Sequence, residues 1–413
     1  MAQVNITLSQ EEILQLLKTD SSETFRELLR NTLNQFISAE SMEQLRAEPY
    51  ERSDKRTDQR NGFRDRPLNT RIGTITLTVP RHRNQPFHTM LFDNYQRSES
   101  ALITTMAEMV ISGVSTRKVA NVMETLCGKE FSKSTVSEAC KQLDKEVEAF
   151  RNSPLDPGAY PFIMLDATYF KCREDHRIRS KAFMVAVGIN DKGERKVIGF
   201  GQYEDESNPT WTDFVRSLKK RGLSGVMMYT SDAHPSIRHA MNLEFPDAVW
   251  QRCQFHFMKN ILDAAPKKNR PGLETELREM FNSATVQEAS KLRDEIIKDY
   301  ADIAEQSMSI LDNGFEDTMT VMMLPAEIRR PLRTSNMVER LNGELKRRSN
   351  VIRIFPNPES ILRLMGSVTI DYSHSMENKR PVFCSKSVKQ ITEEVKLKLV
   401  ELAKAQAQKE LAA

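Results

Sequence analysis

Residues 161–171 read PFIMLDATYFK. The apolar run from Phe162 to Leu165 is typical of a strand that is buried on both faces. Asp166 comes directly after Leu165, at the end of this apolar run. Because an isolated ionised carboxylate in such a place costs several kcal/mol, the sequence predicts a cationic partner for Asp166.

The segments that follow predict an α/β fold with a mixed sheet. Residues 163–170, 182–189 and 196–202 are predicted strands, and their short polar links make them antiparallel neighbours. Next come a helix, a strand, a helix, a strand and a further helix, predicted at residues 211–221, 226–230, 234–244, 248–253 and from 255 onward. In the order β-β-β-α-β-α-β-α, right-handed crossovers can place the fourth strand beside the first. Asp232, at the end of the fourth strand, then comes near Asp166.

Asp232 has two interpretations. An aspartate that ends a strand commonly caps the next helix, and base rates favour that role for Asp232 alone. Two carboxylates on adjacent strands repel each other, however, unless a cation lies between them. A divalent ion would answer both problems, and ligation by oxygen alone suits Mg²⁺ or Mn²⁺.

A third acid is predicted on a helix that begins within TSNMVERLNGELKRR, residues 334–348. One face of this helix carries polar residues at helical spacing: Ser335, Glu339, Asn342 and Lys346. Arg340, Arg347 and Arg348 flank that face. The alternative is an exposed helix with ion pairs between its own side chains.

Composition and charge point to a globular chain with local basic regions. The chain has 413 residues, of which 28% are charged, and a net charge of only +3. Residues 52–83 nevertheless hold nine Arg or Lys against three Asp, and residues 327–353 hold eight against three Glu. Such stretches predict surfaces that bind polyanions, although solvated faces of ordinary helices and loops would look the same.

The first 150 residues predict mostly helices, with one basic β segment. A capping box at residues 9–12 opens a helix, and a second helix is predicted over residues 22–37. The Arg-rich segment RNGFRDRPLNTR, residues 60–71, leads into a strand in which Ile75, Leu77 and Val79 alternate with threonines. Residues 116–126 and a helix capped by Ser132 resemble a helix-turn-helix, although three packed helices without a DNA role remain the alternative.

The cysteines indicate a reduced chain without a disulfide framework. There are five, widely spaced and without a C-x-x-C pair,. The start of the chain is not typical of a signal peptide, and the apolar runs are too short to span a membrane, so a soluble intracellular protein is expected. Cys253-x-x-His256 has the form of half a zinc site, but zinc is not expected because a second Cys or His pair is missing nearby. Packing between a strand and a helix is the preferred interpretation of that pair.

Six motifs together carry a resemblance to a known family. They are RNGFR, VPRHR, LDATY at Asp166, SDAH at Asp232, CQFH at Cys253 to His256, and TSNMVERLN at Glu339. With them the chain resembles, over nearly its full length, the DDE transposases of bacterial insertion sequences in the Mutator-like family. The resemblance implies a ribonuclease-H-like core that is interrupted by an all-helical insertion.

The resemblance also implies an active site and its chemistry. Asp166, Asp232 and Glu339 would be the catalytic triad that holds two Mg²⁺ ions, with Mn²⁺ as a substitute, and Lys346 would position a phosphate. Cys253, His256 and Asn342 would be neighbours of that site. The activity would be cleavage of double-stranded DNA at the element's terminal inverted repeats and transfer of the freed 3′-OH into target DNA.

The sequence patterns and the resemblance together predict a domain organisation and partners for this chain. Residues 1–95 and 96–153 would bind DNA, 154–263 with 331–372 would form the catalytic domain, 264–330 the insertion and 373–413 a helical tail. The predicted DNA contacts are Arg60, Arg64, Arg71, Arg117, Lys118, Lys133, Ser134, Thr135, Ser137, Arg340, Lys346 and Arg347. A homodimer is expected on DNA, in the bacterial cytoplasm at the nucleoid. The alternatives are an inactive DNA-binding protein, such as a domesticated transposase or repressor, and a nuclease that cuts without joining.

Overall fold

The structure is a computed structural model, and it describes residues 22–51, 56–70, 73–89, 91, 100–127, 131–156, 160–377 and 379–412. The capping box predicted at residues 9–12 lies outside the described residues. The chain divides into two compact units, Met1–Gln142 and Leu143–Ala413. None of the described helices combines the length and the apolar character that crossing a membrane requires.

The first unit contains a helix on a two-stranded hairpin. Helix α1 (Ser22–Leu45) packs on strands β1 (Arg60–Thr70) and β2 (Gly73–His82), which pair antiparallel. The alternation predicted for β2 is confirmed, because Ile75, Leu77 and Val79 are all buried under the helix. Strand β1 was not predicted, because residues 60–71 were described only as an Arg-rich segment that leads into a strand.

Three further helices complete the first unit. They are α2 (Ser100–Ile111), α3 (Thr116–Cys127) and α4 (Lys133–Cys140), and they share one apolar core. The predicted N-cap is confirmed, since the Ser132 hydroxyl accepts a hydrogen bond from the Thr135 backbone N–H at 3.1 Å. The predicted helices are therefore present, and their role in binding DNA stays a prediction.

The second unit is built on a six-stranded mixed sheet. Its strands are β3 (Phe162–Glu174), β4 (Arg177–Ile189), β5 (Arg195–Tyr203), β6 (Met228–Ser231), β7 (Val249–Arg252) and β8 (Ile354–Phe355). The spatial order is β5-β4-β3-β6-β7, and β8 pairs with the far end of β3. The first three strands are antiparallel, while β6, β7 and β8 run parallel to their neighbours. The predicted element order and the pairing of the fourth strand with the first are confirmed.

Helices cover both faces of this sheet. On one face, α6 (Asn208–Lys220) and α7 (Pro235–Glu244) bury Trp211 and Phe214 against Leu165 and its neighbours. On the other face, α13 (Asn336–Ile352) and α14 (Pro358–Glu377) pack against β3. Two further helices of this unit are α5 (Leu143–Asn152) and α8 (Gln254–Ala264).

The segment between β7 and α13 is helical, as predicted for residues 264–330. Its helices are α9 (Arg270–Phe281), α10 (Val286–Tyr300), α11 (Glu305–Met319) and α12 (Ala326–Leu332), with a 3₁₀ turn at Thr320–Met323. Leu273, Leu277, Ile296 and Leu311 form part of a core of their own that continues into α8. This long insertion therefore ends where α13 begins, close to the sheet.

The helical tail predicted for residues 373–413 packs against the sheet. After α15 (Ser385–Lys389), helix α16 (Glu393–Ala412) lies beside the outer strand β7. The Gln406 side chain accepts a hydrogen bond from the Trp250 backbone N–H at 3.0 Å and donates one to the Trp250 carbonyl at 3.1 Å. A side-chain amide thus occupies the position that a further strand would take.

Candidate active site

Asp166 lies in β3 on the face that α13 covers. One carboxylate oxygen, Oδ1, accepts a hydrogen bond from the Ala167 backbone N–H at 2.9 Å. The other, Oδ2, accepts one from Asn342 Nδ2 at 2.8 Å. Burial, followed by the negative charge of Asp232, raises the pKa of Asp166 to about 7. The carboxylate therefore lies in a place that favours its protonation unless positive charge is supplied.

Asp232 follows β6 directly and lies next to Asp166. The parallel register pairs Phe162 with Met228 and Met164 with Thr230. Each aspartate follows two residues after the second of these pairs, so Asp166 and Asp232 lie side by side. Asp232 Oδ1 accepts the His234 backbone N–H at 3.2 Å. The N-cap of α7 is His234, not Asp232. The capping role that base rates favoured for Asp232 is therefore wrong, and its carboxylate remains available to the site.

Glu339, in the first turn of α13, completes the group of acids. Its charge makes the smallest of the contributions that raise the pKa of Asp166, so Glu339 lies within electrostatic reach of that aspartate. The Ser335 hydroxyl donates a hydrogen bond to Glu339 Oε1 at 2.8 Å. Ser335 and Asn342 thus each orient one acid, and the helical spacing predicted from the sequence explains why both side chains face the sheet. Lys346, on the same helix, is exposed.

Cys253 and His256 also face Glu339. Cys253 is the N-cap residue of α8, and its Sγ lies 3.8 Å from Glu339 Oε1, while His256 Nδ1 lies 3.9 Å from the same oxygen. Burial raises the pKa of the Cys253 thiol. The sequence favoured a packing role for this pair. That role explains Cys253, which is fully buried, but it does not explain why Cys253 Sγ and His256 Nδ1 both face the Glu339 carboxylate.

Sequence reasoning missed a fourth acid beside Asp232. Glu206 lies between β5 and α6 and accepts a hydrogen bond from Trp211 Nε1 at 3.4 Å. Burial raises the pKa of Glu206, and the charge of Asp232 adds to that effect while His234 opposes it. The sequence offers little signal for it, because Glu206 belongs to a short acidic loop that is typical of solvent-exposed turns.

A basic groove near the start of α13 was missed as well. It has a volume of about 470 Å³, and its cationic lining residues are Arg195, Arg330, Arg340 and Lys379. None of its described lining residues is acidic. The Nε atom of Arg195 is buried without a hydrogen-bond partner among the described residues. Only Arg340 was predicted, because the four residues come from separate segments of the chain.

The other predicted DNA contacts have several environments. Most side chains are exposed, namely Arg64, Arg117, Lys118, Lys133, Ser134, Ser137, Lys346 and Arg347, and Thr135 is half-buried. The Arg60 guanidinium donates to the backbone carbonyls of Ala47 and Glu48 at 2.7 and 2.9 Å, so it supports the loop after α1. Arg347 pairs with Glu344 at 2.7 Å. Arg71 lies outside the described residues.

Comparison with known proteins now gives the family. The family model described as "Transposase, Mutator family" matches residues 1–378. The transposase for insertion sequence element IS256 in transposon Tn4001 of Staphylococcus aureus is 40% identical over 90% of this chain and 96% of its own length. Those for ISRM5 of Rhizobium meliloti and IS1081 of Mycobacterium tuberculosis are 39% and 37% identical, each over 86% of this chain and over 89% and 86% of their own lengths. The resemblance is confirmed: this chain belongs to the Mutator family of transposases.

Proposed function

We propose that this chain cleaves DNA at the ends of an insertion sequence and joins the freed 3′-OH to target DNA. The observation that supports this most strongly is the convergence of Asp166, Asp232 and Glu339 from β3, the end of β6 and α13. The mixed sheet around them, in the order β5-β4-β3-β6-β7, supports a ribonuclease-H-like core. Such a centre would supply the phosphodiester chemistry of a DNA-processing enzyme.

The acids would hold a pair of divalent cations, Mg²⁺ first and Mn²⁺ as a substitute. Burial and the charge of Asp232 raise the pKa of Asp166. The ionised form of its carboxylate therefore needs a positive charge nearby,. The Asn342 Oδ1 atom is buried without a hydrogen-bond partner among the described residues, which adds an oxygen donor beside Asp166. Hard cations take oxygen ligands of this kind. Bound there, the ions would supply Lewis-acid stabilisation and activate the attacking oxygen.

The chain's own residues would hold and orient this centre. Asn342 fixes Asp166 through its amide N–H, and the Ser335 hydroxyl fixes Glu339, so each ligand is held before DNA arrives,. The exposed Lys346 is available to bind a phosphate as a point charge. A two-ion centre requires no covalent protein intermediate, and so no nucleophilic Ser, Tyr or Cys is assigned.

The remaining parts of the chain would bind and arrange DNA. We assign residues 1–95 and 96–153 to DNA ends and residues 264–330 to the insertion of the catalytic domain. Helix α5, within that second range, packs on α14 through an ion pair of Asp144 with Arg363 at 2.7 Å, so it also supports the catalytic sheet. Joining two DNA ends calls for two subunits, so a homodimer would act on DNA in the bacterial cytoplasm.

Incubating the full-length protein with short duplexes that carry candidate ends tests this function. In Mg²⁺ or Mn²⁺ we expect nicked and joined products, identified by sequencing, because both reactions use the same acids. EDTA should abolish both products, and excess Mg²⁺ should restore them. DNA binding without nicking would instead support the repressor-like alternative. Nicking without joining, even from a pre-nicked end, would indicate a nuclease.

The basic groove gives a separate prediction about DNA affinity. Replacing Arg195 or Lys379 with alanine should weaken binding to all duplex sequences and lower the slope of log K against log salt by about one each, because each change removes one phosphate contact. Fluorescence anisotropy at several salt concentrations measures this slope. Lys398→Ala is the matched control, since Lys398 pairs with Glu394 at 2.6 Å on α16. Unchanged slopes in both groove variants would remove this groove from the DNA path.

A further inference from the structure

Three chemically different donors meet at one point beside the acids. Cys253 Sγ, His256 Nδ1 and Glu339 Oε1 all lie within 4.8 Å of one another. This set of sulfur, nitrogen and oxygen differs from the carboxylates of Asp166 and Asp232, because a thiolate and an imidazole prefer Zn²⁺ and similar ions to Mg²⁺. The described residues contain no other such group of His, Cys and acidic side chains.

The distances suit a small tetrahedral ion. Zinc binds sulfur at about 2.3 Å and nitrogen or oxygen at about 2.0–2.2 Å, so its ligand atoms lie roughly 3.4–3.6 Å apart. The observed separations from Glu339 Oε1 are 3.8 Å to Cys253 Sγ and 3.9 Å to His256 Nδ1. Small side-chain rotations would close that difference, and the fourth position would remain for water.

His256 supplies an independent observation. Its Nδ1 atom is buried and has no hydrogen-bond partner among the described residues. Leaving a buried polar atom unsatisfied costs free energy, which makes a ligand for this nitrogen favourable. Since His256 lies in the first turn of α8 and Cys253 caps that helix, both side chains reach the same side,.

Ser335 supports the sulfur from the opposite side. Its backbone N–H donates a hydrogen bond to Cys253 Sγ at 3.4 Å, and its hydroxyl oxygen lies 3.2 Å from the same sulfur while the hydroxyl hydrogen is directed to Glu339 Oε1. Hydrogen bonds of this kind stabilise a thiolate ligand, as outer-shell partners do in known metal centres.

We propose that Cys253, His256 and Glu339 bind one Zn²⁺-class ion, and that this ion withdraws Glu339 from the Mg²⁺ centre. The proposal departs from the expectation that no zinc binds. That expectation required a second Cys or His pair nearby in the sequence, whereas the third ligand comes from α13. The withdrawal of Glu339 from the Mg²⁺ centre rests on the function proposed above, but the binding of the Zn²⁺-class ion does not.

Titration of the metal-free, full-length protein with Co²⁺ as a probe for Zn²⁺ tests the site. We expect one equivalent to produce thiolate-to-cobalt absorption in the near ultraviolet and tetrahedral bands in the visible, and Zn²⁺ to remove both. His256→Ala should weaken Co²⁺ binding by at least the 10–100-fold that loss of an outer-shell partner costs. Cys253→Ser should lose the near-ultraviolet band. His256 is half-buried, so its variant keeps the test valid if Cys253→Ser fails to fold.

Two control variants locate the signal. Cys384→Ser removes an exposed cysteine and Asp166→Asn changes the neighbouring acid centre, so both should keep the wild-type spectrum. Absence of the thiolate band, or its survival in Cys253→Ser, would overturn the site. The spectrum decides this point whether or not the chain cleaves DNA. If the chain does cleave, undiminished activity in Mg²⁺ at saturating Zn²⁺ would overturn the competition for Glu339.

Discussion

Asp166→Asn should lower the rate of DNA cleavage in Mg²⁺ by at least about 1000-fold, equivalent to about 4 kcal/mol of transition-state stabilisation. The physical reason is the loss of one charged ligand between two other acids, where the amide cannot hold a cation as strongly. The fold should persist, because the new amide oxygen can still accept the hydrogen bond from Asn342 Nδ2. Single-turnover cleavage of a labelled duplex measures the effect.

The same variant should show how much the ionised Asp166 carboxylate destabilises the metal-free protein. The pKa of Asp166 is about 7 in the fold, above its ordinary value of 3.8, so ionisation opposes folding,. Wild type should therefore lose stability relative to Asp166→Asn as the pH rises from about 4 through 7, by up to about 4 kcal/mol, and added Mg²⁺ should restore it. Thermal melts at pH 4 and pH 8 measure this difference.

Asp175→Asn is the matched control for both experiments. Asp175 is an exposed aspartate in the turn between β3 and β4, with a φ of +49° that asparagine also tolerates,. Its replacement should change neither cleavage nor the pH dependence of stability. DNA affinity should be unchanged in both variants, since phosphate contacts dominate it. Cleavage by Asp166→Asn within tenfold of wild type would exclude Asp166 from the active site.

Lys181→Ala should destabilise the sheet by about 2–3 kcal/mol. Lys181 lies on β4 with a side chain that is only 1% exposed, and its Nζ lies 2.6 Å from Glu174 and 2.5 Å from Glu204. The change removes the ammonium that pairs both carboxylates and leaves a cavity where its methylenes packed. Urea unfolding measures the loss in the free energy of unfolding.

Lys181→Met separates the charge from the packing. Methionine fills a similar volume without a desolvated charge, so we expect a free energy of unfolding close to that of wild type. Lys171→Ala, at an exposed position of β3, should cost no more than about 0.5 kcal/mol,. Equal losses for the alanine and methionine variants at position 181 would instead mean that the ion pairs stabilise the sheet in their own right.

The sheet and its acids could be predicted because their signals are local. An apolar run interrupted by Asp166, a second strand that ends at Asp232 and a polar helix face at Glu339 each follow from short-range patterns. Topology then placed the first two together, since short turns force antiparallel neighbours and crossovers have a fixed hand. The role of Asp232 as a cap was wrong because His234 reaches the helix start first.

Features made from distant segments could not be predicted in this way. Strand β1 was missed because most of its side chains are polar and exposed, and Gly62 and Pro67 interrupt its pattern. The basic groove and the third donor beside Cys253 each combine residues that only the folded chain brings together. A search for local pairs cannot find such sites, because no spacing in the sequence encodes them.

The amide of Gln406 on Trp250 limits how copies of this protein can associate. Strand β7 is the outermost strand on its side of the sheet, and its exposed backbone would otherwise be a template for another chain's strand,. With that edge already occupied from within, copies of this protein are kept from pairing through β7. Chains shortened before α16 would lose this protection, and their loss of function could reflect aggregation rather than faulty chemistry.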